Sequence, residues 1–153
     1  ADAWKDVAAR RGAAAAVMMG LLILLIVVVV VFYVLRPKPS PPPPEIAADP
    51  LLTRGREVFL ERCVSCHGVE GRGDGPISAT LPDPKPRDFL QQAWKYGDQP
   101  DQVLQTIAKG TPGLAMGGFG SVLDPPDIVA VASYVYTLAG RPVPADYRAP
   151  ATR

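Results

Sequence analysis

Both cysteines and the single histidine of this chain fall within five consecutive positions, Cys63-Val64-Ser65-Cys66-His67. The spacing C-x-x-C-H serves three chemistries: a redox dithiol, a metal site, or covalent attachment of haem. A dithiol oxidoreductase sets its C-x-x-C beside a βαβ pattern, and no strand pattern is legible here. Structural zinc takes four ligands, whereas this cluster supplies three, so a carboxylate would have to complete the site. The third chemistry uses all three residues. Two thiols three positions apart can each bond one vinyl-derived carbon on the same edge of a porphyrin, and the next residue presents an imidazole beneath the iron. Cys63 and Cys66 are therefore expected as thioether anchors of one haem c, with His67 as its proximal ligand.

The other face of the iron asks for a second ligand. Met18 and Met19 lie inside an uninterrupted apolar run, which leaves Met116, in the Gly-rich stretch GTPGLAMGGFG over residues 110–120. A His/Met pair raises the reduction potential and leaves no vacant site for substrate. The competing reading has Met116 filling a gap beside Phe119. With His67 on iron, no histidine remains as a general base. The glycines around Met116 lack the Lys-Ser/Thr of a phosphate-binding loop.

These residues need elements to hold them. Asp49-Pro50 reads as a helix cap followed by proline at the first position. Leu51, Leu52, Gly55, Val58 and Phe59 then recur at helical spacing up to Cys63. Residues 68–86, rich in Gly and Pro, read as a loop. A short helix is expected from Phe89 to Tyr96, and another from Pro100 to Lys109, closed by Gly110. The last runs from an Asp124 cap to Gly140, with Ile128, Val131, Val135 and Leu138 on one face. The result is an all-α domain over residues 49–140, followed by a tail, 141–153. So little regular structure needs something large and apolar at its centre.

Ahead of the domain, residues 13–35 are uncharged throughout. As a helix they would reach roughly 35 Å, enough to cross a bilayer core. The run exceeds the ~7–15 residues of a signal-peptide core. Arg36-Pro37-Lys38-Pro39 follows it where a cleavage site would have small residues, so a retained transmembrane anchor is expected after a short N-terminal segment, 1–12. Trp4 could sit at the membrane interface. Residues 36–48 form a linker in which six of the eight positions from Pro37 to Pro44 are proline, a stiff rod of roughly 25 Å. Lys5, Arg10 and Arg11 against Asp2 and Asp6 account for the formal charge of +1. The rest is net neutral, which offers nothing to nucleic acid.

The chain resembles the class I c-type cytochromes, in particular the mono-haem, membrane-attached ones of bacterial electron-transfer chains. The resemblance covers about residues 50–140 and rests on GREVFLERCVSCHG, GDGP, KPRDF, and IAKGTPGLAMGGFG followed by IVAVASYVYTL. It implies a class I cytochrome c fold: short helices around one haem, with Gly55 and Phe59 packed against the last helix near Tyr134. It also implies that the carbonyl of Pro76 accepts from the second ring nitrogen of His67. Arg87 is implied as a partner of a haem propionate, and Trp94 and Tyr96 as pocket-lining residues or propionate donors. Where the family has Met-Pro-x-Phe, this chain has Met116-Gly117-Gly118-Phe119, which predicts a less rigid ligand loop.

The expected function is single-electron transfer, with no enzyme activity of its own, between a quinol-oxidising donor and an acceptor such as a terminal oxidase or reaction centre. A fixed subunit of a respiratory or photosynthetic membrane complex is favoured by the short linker. Haem attachment happens outside the cytoplasm, so the N-terminus is expected inside a bacterial plasma membrane and the haem domain on its periplasmic face. The alternatives are a haem enzyme or gas sensor with a labile sixth ligand, and a mainly structural assembly subunit.

Overall fold

A computed structural model describes residues 3–35, 40–91, 94 and 97–148, with side chains of the first helix from residue 14 onward. The side chain of Trp4, the whole of Tyr96, and residues 36–39 and 149–153 lie outside what it describes. The chain divides into two units, Ala1–Pro41 and Pro42–Arg153.

Among the described residues the first unit holds one helix, α1 (Ala3–Leu35). Its segment Ala14–Leu35 has a mean hydropathy of 3.3 and none of it is buried, so this helix is long and apolar enough to cross a membrane.

In the second unit, Pro43 has the extended backbone of a polyproline residue (φ −53°, ψ 150°) and leads into one turn of helix, α2 (Pro44–Ala47). Ile46 in that turn is buried in the core, and its carbonyl accepts from the Thr53 hydroxyl at 2.8 Å. The packed domain thus starts before residue 49. Helix α3 (Pro50–Arg62) opens as the sequence predicts, the Asp49 carboxylate accepting from the N–H groups of Leu51 (2.9 Å) and Leu52 (3.4 Å). Its last turn runs into a further single turn, α4 (Val64–His67).

Helix α5 (Pro100–Lys109) is opened by reciprocal bonds between Gln99 and Gln102. Helix α6 (Pro125–Leu138) has no side-chain cap from Asp124. Asp127 in its first turn instead grips Arg54 of α3 with both carboxylate oxygens, at 2.7 and 2.6 Å. The α3–α6 seam is the backbone of the domain. A β-carbon on Gly55 would lie 2.0 Å from the Ala130 carbonyl oxygen and 2.9 Å from Tyr134 Cβ, so only glycine lets these helices touch. One turn on, the Phe59 ring meets Tyr134 edge-on at 5.4 Å.

Among the described residues of the helix expected from Phe89 to Tyr96 none is helical: Phe89, Leu90, Gln91 and Trp94 are turn and irregular chain. Local bonds outcompete it. The Phe89 N–H is taken by the Gly71 carbonyl (2.8 Å), and the Asp88 carboxylate takes the Leu90 N–H (2.9 Å). The chain beyond Gly140 is not a free arm either, as far as residue 148. Tyr147 is 6% exposed and donates to the Pro100 carbonyl at 2.7 Å. Arg141 pairs with Asp98 at 2.9 Å and Arg148 with Asp49 at 2.8 Å.

Candidate functional site

A cavity of about 480 Å³ lies among α3, α5, α6 and the loops around residues 81–97 and 111–119, within the usual size of a small-molecule site. Cys63, Cys66, His67 and Met116 all line it. So do Arg87 and Trp94, together with Phe59, Ile107, Val131 and Val135 from the helices.

The cysteine cluster is positioned by main-chain bonds on both sides. The Cys63 N–H is the last of α3, bonded to the Phe59 carbonyl at 2.8 Å, and the Cys63 carbonyl accepts from His67 N–H at 2.9 Å. The next loop clamps this turn: Gly73 N–H to the His67 carbonyl (2.8 Å), Gly75 to Cys66 (3.1 Å) and Ile77 to Ser65 (3.1 Å). A β-carbon on Gly75 would fall 2.3 Å from the Ser65 carbonyl oxygen. The residues of GDGP thereby act as a strap behind C-x-x-C-H. Burial, with the neighbouring Cys66 adding to it, pushes the Cys63 thiol up to about 11.

Phe89 stacks on the His67 imidazole, ring centres 4.8 Å apart and planes 20° apart. Burial holds the imidazole below its ordinary value, against a smaller opposing effect of the Arg87 main chain. It is therefore neutral at physiological pH, the form in which histidine binds metal. His67 Nδ1 is buried and makes no hydrogen bond among the described residues, so the bond expected to the Pro76 carbonyl is not formed through it. Pro76 itself is exposed, held between the two strap residues Gly75 and Ile77.

Arg87 is half-buried in the cavity wall, and its Nε is buried with no partner among the described residues. A buried N–H without an acceptor is costly. The indole N–H of Trp94 donates to the Phe89 carbonyl at 3.3 Å. Its ring carries the Arg141 guanidinium at 4.6 Å and meets Tyr136 at 5.6 Å. Trp94 is thus a wall of the cavity whose donor is already engaged.

Met116 is half-buried on a loop held more firmly than its missing proline predicts. Gly110 and Gly117 form an isolated antiparallel bridge, with Thr111 N–H bonded to the Met116 carbonyl at 3.0 Å. Phe119 and Gly120 then tie the loop back to the Ile107 (3.0 Å) and Ala108 (2.9 Å) carbonyls of α5. A β-carbon on Gly118 would sit 2.6 Å from the Ala108 carbonyl oxygen. Glycine replaces proline's stiffness with a close approach that permits main-chain bonding. Sequence reasoning missed one lining residue of note, Thr111, because a threonine in a loop carries no signal by itself.

Haem fits this site. The cavity offers apolar walls for a flat ring, two thiols, a neutral imidazole nitrogen and a thioether. Arg87 is a cation in the wall, suited to a haem carboxylate, whose Nε has no partner among the described residues. No group of three or more His, Cys, Asp or Glu able to hold a bare metal ion exists among the described residues.

The cytochrome c family model matches residues 52–139. The chain is 33% identical over 87 residues to the FixP subunit of the cbb3-type cytochrome c oxidase of Bradyrhizobium diazoefficiens, aligning 57% of this chain with 27% of that protein. It is 34% identical over 94 residues to the CcoP subunit of the corresponding oxidase of Rhodobacter capsulatus, covering 58% of this chain and 29% of the relative. The chain thus spans less than a third of the length of these curated relatives. Among solved structures, a chain of the reducing HAO-like protein complex of Kuenenia stuttgartiensis superposes with a TM-score of 0.56 at 30% identity, over 71% of this chain and 54% of that one. A cytochrome c domain carries haem c, and Cys63 and Cys66 are the thiols its attachment requires. With the family model matched over more than half of its length, the chain belongs to the cytochrome c family.

Proposed function

We propose that this protein carries single electrons as a membrane-anchored, one-haem subunit of a respiratory oxidase complex, with His67 and Met116 as the two axial ligands. The observation that carries the reading is the convergence of Cys63, Cys66, His67 and Met116 on one cavity. Haem bound there supplies an iron that takes up and releases one electron. The chain's own residues do the rest. Cys63 and Cys66 fix the ring covalently. The imidazole of His67, braced by Phe89, and the sulfur of Met116 would both ligate the iron, which would leave no site for substrate. Apolar walls from Phe59, Ile107, Val131 and Val135 exclude water and favour the state of lower charge. Arg87 would balance a haem carboxylate, and in the haem-loaded protein the Pro76 carbonyl would accept from the second ring nitrogen of His67.

Helix α1 is the anchor, with the N-terminus on the cytoplasmic side and the haem domain on the outer face of a bacterial plasma membrane. The burial of Ile46 supports a fixed subunit over a tethered shuttle, because it leaves only residues 36–43 between α1 and the packed domain. The relatives' names support an oxidase as the destination of the electron. The donor is a quinol-oxidising complex or its carrier.

Optical spectra of the purified protein, oxidised and reduced, the latter with and without carbon monoxide, test the ligation. A sulfur-to-iron charge-transfer band in the oxidised form, and a reduced spectrum that carbon monoxide leaves unchanged, are expected. Ready binding of carbon monoxide would instead mean an open site and a catalytic or sensing role.

A further inference from the structure

Thr111 is 8% exposed, lines the cavity, and its Oγ1 is buried with no hydrogen-bond partner among the described residues. A buried hydroxyl left unpaired is costly, so its place in the wall calls for an acceptor. The backbone pairing sets one side chain across from it. Gly110 and Gly117 are bridged in the antiparallel sense, and the Thr111 N–H bonds to the Met116 carbonyl at 3.0 Å. Thr111 and Met116 therefore stand directly opposite each other. Opposite residues of an antiparallel pair send their side chains to the same face, with β-carbons about 4.5–5.5 Å apart. Both side chains do line the same cavity. A thioether sulfur is a weak acceptor, and a threonine hydroxyl can turn its proton to suit it. The rival acceptor, a haem carboxylate, is better matched by the Arg87 guanidinium, whose Nε has no partner among the described residues.

This structure does not contain a bond between the Thr111 hydroxyl and the Met116 sulfur. We propose that Thr111 is a positioning residue for Met116 in the haem-loaded protein: once the methionine turns to iron, the hydroxyl donates a hydrogen bond to its sulfur, orienting that sulfur and withdrawing electron density from it. The inference rests on Met116 being an axial ligand. Ferric iron depends more on donation from sulfur than ferrous iron does, so the bond favours the reduced state and raises the potential. It also supplies side-chain restraint in a ligand loop that has no proline after the methionine.

The test compares T111V and T111A, which lack the hydroxyl, with T111S, which keeps it, in the full chain carrying its haem. Midpoint potential, the sulfur-to-iron charge-transfer band and melting temperature are read for each. T111V is expected to lower the potential and to shift or weaken the band, with T111S restoring both. T111A should repeat the T111V result, and it replaces T111V if that variant does not hold haem. Unchanged potential and band in the variants lacking the hydroxyl overturn the inference. A potential that falls with altered pH dependence while the band stays put also overturns it, because the hydroxyl then serves a haem carboxylate. Absence of the band from the unsubstituted protein is a different failure, that of Met116 ligation itself, and removes the premise.

Discussion

The seam between α3 and α6 and the wall of the cavity are built on opposite terms. At the seam, Gly55 brings two backbones into contact, Phe59 (0% exposed) interlocks with Tyr134, and Arg54 and Asp127 close the rim. Every part of it finds its partner within the chain. The cavity wall does not: His67 Nδ1, Arg87 Nε and Thr111 Oγ1 are all buried and all unpartnered among the described residues. Unsatisfied polar atoms are rare in native interiors. All three belong to residues that line one apolar cavity, so the unpaired polar atoms gather in the half of the core where the polypeptide alone leaves space. The difference teaches that one half of this small core is complete as sequence and the other half is complete only with haem.

Replacing both Cys63 and Cys66 with serine should produce the largest effect, by removing the covalent hold on that group. The expected outcome is loss of haem on denaturing electrophoresis and a large fall in melting temperature. Hydrogen-exchange protection should vanish first in the Met116 loop and last in α3 and α6. Equal loss of protection in both regions would erase the contrast between them.

Gly55→Ala attacks the complete half instead. Its β-carbon has no room before the Ala130 carbonyl oxygen, 2.0 Å away, so the helices must part at a cost of about 3 kcal/mol. Thermal unfolding of the haem-loaded protein checks this. The charge-transfer band below the transition should be unchanged, and a variant that altered the band as strongly as the melting point would show that the seam also sets the ligand geometry.

The smallest effect is expected at the edge of the seam. Asp49 caps α3 and pairs with Arg148 at 2.8 Å. Burial alone would push its carboxyl up, but Arg148 and the N–H groups of Leu52 and Leu51 outweigh it and hold the carboxyl below its ordinary value of 3.8. A lowered folded-state value means a contribution fully present above that ordinary value and lost as pH falls through the lower one. Asp49→Ala should cost about 1 kcal/mol at neutral pH, and the difference from the unsubstituted protein should shrink below pH 3.8. A pH-independent difference would mean that the charge of Asp49 is immaterial.

Legibility followed the range of the interactions. Helices α3, α5 and α6 were readable because an opening proline and apolar spacing lie within one or two turns of each other, with a working side-chain cap from Asp49 at α3. The irregular chain at residues 89–91 was not, since the Phe89 N–H is bonded to Gly71, far back in the chain. The same holds for residues 141–148, whose place is set by Asp98, Pro100 and Asp49. In the site, the C-x-x-C-H cluster announced itself because its three reactive side chains are adjacent. Met116 emerged by elimination among three methionines.

What the order of residues determined alone is therefore the chemistry with local logic: two thiols and an imidazole in one turn, an apolar segment long enough for a bilayer, and helices with their own start signals. Only the tertiary structure decided which polar groups would lack partners, that Trp94 would bond to Phe89 and lie under Arg141, and that Thr111 would stand opposite Met116. The physical reason is that burial and pairing across a fold belong to neither residue by itself. They exist only when segments distant in the chain enclose the same space.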